Sequence, residues 1–204
     1  MAVLYHFSED PNLTVFRPHV PATATGPEPL VWAIDESHAP SYWFPRDCPR
    51  ACCWIDETDV LSPQASALLG MSSARRMHAI EAGWLKRVPE CRLYVYELDP
   101  APFALHDANA GDWVSRQEAA SIAVKPAGDL LSRHAEAGIE LQGVNNLWPL
   151  IDAICASSVK FSIIRKANAL PRPTCGADRA GSQGTQTASS ALTAGKGLDI
   201  VQDM

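Results

Sequence analysis

Two segments of this chain carry residues whose types and spacing suit chemistry. Leu4-Tyr5-His6-Phe7-Ser8 places a histidine and a serine on alternate positions of an apolar opening strand. Strand geometry sends Leu4, His6 and Ser8 to one face and Tyr5 and Phe7 to the other. An imidazole beside a hydroxyl suits hydrogen bonds to a ribose; the same histidine also fits a core position satisfied by a carbonyl. Tyr42-Trp43-Phe44-Pro45-Arg46-Asp47-Cys48-Pro49-Arg50 packs three aromatics, two prolines and two arginines together. Aromatic faces stack on flat heterocycles. The guanidinium forks of Arg46 and Arg50, on a backbone stiffened by proline, match a phosphate or carboxylate. The plainer alternative is a structural bridge to Asp47. Together the two segments point to a cleft for something flat and anionic.

Further candidates lie downstream. Glu118 follows Trp113-Val114-Ser115, a strand leading into a loop, where a carboxylate can steady developing positive charge or draw a proton from a nucleophile; there it can equally be a solvated surface group. Arg165 and Asn168 follow the last strand and fit either a phosphate or a charged sheet edge. His78 and Glu81 share a helix face at i, i+3 and read as surface groups.

These side chains need a frame. The 204 residues suffice for a full hydrophobic core, and 47% apolar against 20% charged residues is ordinary globular composition. The net charge of −6 and pI near 5.5 argue against a generalised nucleic-acid-binding face, while leaving a local basic cleft open. No apolar run approaches a membrane span, and the start lacks a secretory pattern, so a cytoplasmic location in a bacterium-like cell is expected. Six cysteines without a signal read as reduced thiols. Cys48, Cys52 and Cys53 have no answering second pair, so no metal site is expected.

Short strands are predicted at Val3–Phe7, Val15–Phe16, Leu30–Ile34, Ala51–Ile55, Leu93–Leu98, Phe103–His106, Trp113–Ser115, Ile139–Leu141 and Phe161–Ile164. Pro18 to Pro29 is a proline-rich loop. One or two helical turns fall between Glu36 and Phe44. The clearest helix starts at Ser72 as N-cap and runs through Met77, Ile80, Trp84 and Val88, with Lys86 and Arg87 at its negative end. Helices are also predicted over Gly128–Ala137 and Asn146–Cys155. Residues 1–170 then form a single α+β domain, mostly antiparallel, with a few helices. Residues 171–204, rich in Gly, Ser, Thr, Ala and Gln, read as a disordered tail. No glycine-rich strand-to-helix turn of the dinucleotide or P-loop kind is present.

Tyr5-His6-Phe7-Ser8, Val31-Trp32-Ala33-Ile34-Asp35, Phe44-Pro45-Arg46-Asp47-Cys48-Pro49-Arg50 and Phe161-Ser162-Ile163-Ile164-Arg165 together resemble a bacterial family catalogued only as a domain of unknown function, over roughly residues 3 to 169. A more distant likeness is to the His-Tyr-Glu arrangement of ADP-ribosyltransferases, which implies a split-sheet fold and NAD as substrate. In that resemblance His6 holds a ribose, Tyr42 stacks on nicotinamide, and Glu118 stabilises the oxocarbenium-like sugar and positions the acceptor. Ser8, Arg46, Arg50 and Arg165 are the further ligand-binding candidates. Trp43 stands as the alternative to Tyr42, and Glu97 or Glu140 to Glu118. The reaction implied is transfer of ADP-ribose from NAD, without a metal, to a protein, a nucleic acid or water. The rival readings are a non-catalytic nucleotide or small-anion binding module, and an interaction protein presenting Trp43 and Phe44 on a convex patch.

Overall fold

The computed structural model describes residues 3–20, 28–60, 62–69 and 73–173. Eleven strands run along the described chain: β1 Leu4–Ser8, β2 Val15–Phe16, β3 Val31–Ile34, β4 Arg50–Trp54, β5 Arg76–Glu81, β6 Tyr94–Leu98, β7 Ala104–Asp107, β8 Asp112–Ser115, β9 Ala119–Pro126, β10 Glu140–Val144 and β11 Lys160–Ile164. Three helices accompany them: α1 Pro63–Leu68, α2 Leu130–Glu136 and α3 Trp148–Cys155. The strands form a seven-stranded sheet in the order β2-β9-β6-β1-β3-β8-β7 and a four-stranded sheet in the order β10-β5-β4-β11. Every pairing is antiparallel except β10 with β5. This is the α+β class, mostly antiparallel, that the strand pattern predicts.

One core cluster joins the sheets: Phe7, Ile34 and Val95 of the larger sheet pack with Ile80 and Ile164 of the smaller, closed by Tyr42, Phe44 and Leu130. A second lies on the other side of the smaller sheet, where Ala51, Cys53, Met77 and Ala79 meet Ile151 and Ile154 of α3 and Ala65 of α1. A third, with Leu4, Phe16, Val31 and Tyr96, occupies the opposite face of the larger sheet. The central strand β1 thus separates two environments. Phe7 faces the layer between the sheets, and Leu4 faces away from it, as strand alternation requires.

The structure corrects the helix expected from Ser72. Residues 76–81 are β5, a strand buried on both faces, and Met77 through Glu81 are all inaccessible. Such a strand reads as a nearly continuous apolar run, and its apolar residues happen to fall on a helical period with Trp84 and Val88. His78 and Glu81 are accordingly interior groups. The Glu81 carboxylate accepts the Leu170 N–H at 3.0 and 3.1 Å and the Leu147 N–H at 3.3 Å, tying the chain after β11 to the start of α3. The sequence reading also passed over α1, which Ser62 caps by accepting the Ala65 N–H at 3.1 Å with Pro63 in the first turn. It passed over β9 as well.

No helix among the described residues is long and apolar enough to cross a membrane. Nearly all of the predicted tail, from residue 174 on, lies outside the described residues. Arg172 still engages α3, with Nη1 2.5 Å from Asp152 Oδ2 and the guanidinium 4.4 Å over the Trp148 ring.

Candidate functional site

β1 is held between β3 and β6, so its side chains have little freedom, and the position of His6 is set by the sheet. The His6 ring is 6% exposed. Its Nδ1 lies 3.1 Å from the Trp32 carbonyl oxygen of β3. A carbonyl only accepts, so Nδ1 carries the proton and Nε2 keeps its lone pair. Burial pushes the His6 pKa down to about 4, with Arg46 and His19 acting in the same direction. The ring is therefore neutral near pH 7 and offers an acceptor at Nε2. Phe16 of β2 stands 4.5 Å away, centroid to centroid.

Around His6 is a cavity of about 190 Å³. Phe16 supplies an aromatic wall, Leu13, Val15 and Val31 supply aliphatic ones, and Trp32 borders the cavity where its carbonyl meets His6, its ring lying on the Phe7 side of the sheet. Arg17, His19 and Arg46 complete the lining, which contains no carboxylate among the described residues. The Arg46 loop is held from both sides: the Arg46 N–H donates to Glu9 Oε1 at 2.7 Å, and Asn168 Nδ2 donates to the Asp47 carbonyl at 2.8 Å. Arg17 Nε lies 2.9 Å from Glu118 Oε1, in an ion pair whose two side chains are more than half exposed. Glu118 is thus linked to the cavity through Arg17 and does not itself line it.

The remaining predicted residues are distributed differently. Ser8 is buried, and its Oγ accepts the Asp10 N–H at 3.1 Å, closing the turn after β1. Tyr42 lies in a 3-10 turn, Ala39–Tyr42, and is 4% exposed. Its ring stacks on Phe7 at 6.0 Å with 10° between the planes, which puts it on the face of β1 opposite His6. Burial raises its hydroxyl pKa well above the usual value. Arg50 is 3% exposed and spans the interior, with Nε donating to the Ser41 carbonyl at 2.7 Å and Nη1 to the Cys48 carbonyl at 2.9 Å. Its guanidinium lies 5.2 Å from the Tyr42 ring centroid and 5.5 Å from that of Phe44. Arg165 takes a left-handed backbone, with φ of 55°, and is the one such non-glycine residue among the described residues. Burial, together with the nearby Arg46 and Arg50 guanidiniums, lowers its pKa. Trp43 is half-buried, with the Arg133 guanidinium 4.4 Å over its ring, and Phe44 is 1% exposed. Glu97 pairs with Lys125 at 2.6 Å on the larger sheet, and Glu140 lies on β10 of the smaller one.

The structure therefore brings His6 and Arg46 to one cavity, sets Glu118 at its rim, and keeps Tyr42 and Arg50 in the layer between the sheets. Sequence reasoning missed Phe16, Arg17 and His19. The available signal was Val15-Phe16-Arg17, an aromatic followed by an arginine in a two-residue strand whose partner was not foreseen. The buried thiols are poor nucleophiles: burial pushes Cys48 and Cys53 up to about 12 and Cys52 to about 11. Among the described residues no group of three or more His, Cys, Asp or Glu side chains is arranged to hold a metal ion.

No curated protein matches the chain, and no solved structure does. A family described as "Family of unknown function (DUF6886)" matches residues 5–169. The match covers both sheets, His6, the Arg46 loop and Glu118, and the chain belongs to this family of unknown function.

Proposed function

We propose that the protein binds a nucleotide in the cavity at His6, with the ring against Phe16 and a phosphate against Arg17 and Arg46. One observation carries this reading: a neutral imidazole acceptor, an aromatic wall and two arginines converge on a cavity with no carboxylate among the described residues of its lining. Aromatic faces suit a heterocycle, and guanidinium forks suit phosphate oxygens. Pockets that enclose a whole drug-sized ligand run to roughly 300–1,000 Å³. A cavity of about 190 Å³ takes one end of a dinucleotide and leaves the rest along the surface. NAD is the ligand that the resemblance to ADP-ribosyltransferases nominates.

A second reading, transfer of ADP-ribose from NAD, is favoured by the ion pair that holds Glu118 beside Arg17 at the cavity rim. In that rection the bond between nicotinamide and ribose breaks, and nicotinamide leaves with the bonding electrons. A Glu118 carboxylate near the sugar would stabilise the oxocarbenium-like carbon until the acceptor attacks. The aromatic contact to the nicotinamide would come from Phe16, since Tyr42 lies on the other face of β1.

Thermal unfolding with millimolar NAD, beside the His6→Ala variant, tests the binding. For a Kd near ~100 μM, ~5 mM NAD stabilises the folded state by about 2 kcal/mol, a rise of several degrees for a domain of this size. The rise is expected in the parent and absent in the variant. No rise in a folded parent, or an equal rise in both proteins, contradicts the reading. Release of nicotinamide then separates transfer from binding alone.

A further inference from the structure

The smaller sheet carries a second set of residues with no structural explanation. Cross-strand register sets Lys160 of β11, Trp54 of β4 and Arg76 of β5 side by side. One step further along the same face, about 7 Å away, register sets Ser162, Cys52 and His78 in a parallel row. The first row borders a cavity of about 370 Å³, to which Ser37, His38 and Arg75 also contribute. It shares no residue with the cavity at His6.

Arg76 is the focus of this cavity. Its guanidinium lies 5.0 Å over the Trp54 ring, and Nη1 donates to the Ser37 carbonyl at 2.9 Å. The described ion pairs give it no carboxylate partner. The two carboxylates at the cavity are otherwise placed. Asp56 pairs with Lys160 at 2.5 Å, and Glu57 is exposed. His38 is turned to Asp35, with Nδ1 2.7 Å from Oδ1.

The row behind the cavity supplies an independent observation. His78 Nε2 and Ser162 Oγ are buried and have no hydrogen-bond partner. His134 Nδ1 lies 2.6 Å from the Leu130 carbonyl, so that nitrogen donates; His134 Nε2 then accepts from His78 Nδ1 at 3.1 Å. This relay leaves His78 Nε2 as an unmet acceptor. Unpaired polar atoms in an interior call for water or a ligand.

We propose that this end of the smaller sheet is a second binding site, for a small molecule with an oxyanion head. Arg76, held over the buried Trp54 ring, takes the carboxylate or phosphate, and the His78 and Ser162 row receives ordered water or a polar arm of the ligand. The assignment is independent of what binds at His6.

The test is a titration of the uniformly labelled protein with phenyl phosphate and, separately, benzoate, followed on the Trp54 indole N–H signal, which Trp54→Phe identifies. The parent is expected to show a saturable shift, weakened at least tenfold in Arg76→Gln and unchanged in His6→Ala. A preference for phenyl phosphate or for benzoate assigns the head group. If Arg76→Gln does not fold, Arg76→Lys replaces it, since it keeps the charge and loses the fork; several-fold weaker binding is then expected. No saturable shift with either compound overturns the proposal, as does a shift of equal affinity in the Arg76 variant. A failure of NAD to stabilise the protein bears only on the cavity at His6.

Discussion

His6 and Tyr42 stand on opposite sides of β1. The imidazole meets Phe16 on one face of the seven-stranded sheet, and the phenol stacks on Phe7 in the layer between the sheets. A ligand in the His6 cavity does not reach Tyr42. Tyr42→Phe is expected to leave NAD affinity within about twofold of the parent, whereas His6→Ala removes it. Tyr42→Ala is expected to destabilise the fold by about 3–5 kcal/mol in urea unfolding, the usual cost of truncating a buried aromatic. Loss of NAD affinity in a folded Tyr42→Phe protein would contradict the division of faces.

Arg50 is a structural guanidinium. Two main-chain carbonyls, of Ser41 and Cys48, depend on it for hydrogen bonds in the buried layer between the sheets. Lysine keeps the charge but cannot present both donors in that plane. Arg50→Lys is expected to cost roughly 2–3 kcal/mol, since buried carbonyls lose their donors. NAD affinity in the folded fraction stays at the parent value. Calorimetric titration alongside chemical denaturation checks both halves.

Asp112 sets the pH dependence between about 6.5 and 8. Its carboxyl is fully buried and neither oxygen has a hydrogen-bond partner. Burial, with lesser contributions from Asp107 and Asp35, pushes its pKa up to about 8. In that window the folded protein holds a proton that the unfolded chain has released, so stability falls as pH rises. His6 acts with the opposite sign and lower down: its pKa of about 4 means stability is lost as pH falls from about 6.5 toward 4. Urea midpoints are expected to decline from pH 6.5 to 8 in the parent, by roughly 1–2 kcal/mol in free energy. Asp112→Asn, neutral throughout, should flatten that decline. An unchanged slope in the variant would assign the effect elsewhere.

Glu118 is exposed and paired only with Arg17, so Glu118→Gln is expected to change stability by less than about 0.5 kcal/mol. Freeing Arg17 for phosphate should tighten NAD binding, by up to about fivefold if the pair is worth about 1 kcal/mol. If the protein also transfers ADP-ribose, nicotinamide release falls in the same variant. Tighter binding with lost turnover separates a catalytic carboxylate from a rim charge.

Much of the sheet framework was legible because short apolar runs between turn residues mark strands, as at Leu30–Ile34, Leu93–Leu98 and Phe161–Ile164. β5 was not, because a strand buried on both faces has no alternation to reveal it. That miss turned His78 and Glu81 from interior groups into supposed surface ones. At the site, His6 and its face followed from strand parity alone. The separation of Tyr42 from His6 did not, because it depends on which face of β1 the turn at Ala39–Tyr42 packs against, a contact 35 or more residues away in sequence. Phe16 and Arg17 were hidden for a similar reason: β2 is only two residues long, and it is fixed by pairing with β9.

The most direct test of the central claim is the His6 imidazole itself, followed by nitrogen and proton resonance while NAD is added. The account predicts a saturable shift of the His6 ring signals, at Nε2 above all, with Nδ1 keeping its bond to the Trp32 carbonyl. It also predicts that Arg46→Ala weakens the response. His6 signals unmoved by NAD at concentrations that perturb other residues, or by NAD at any millimolar concentration, would contradict it.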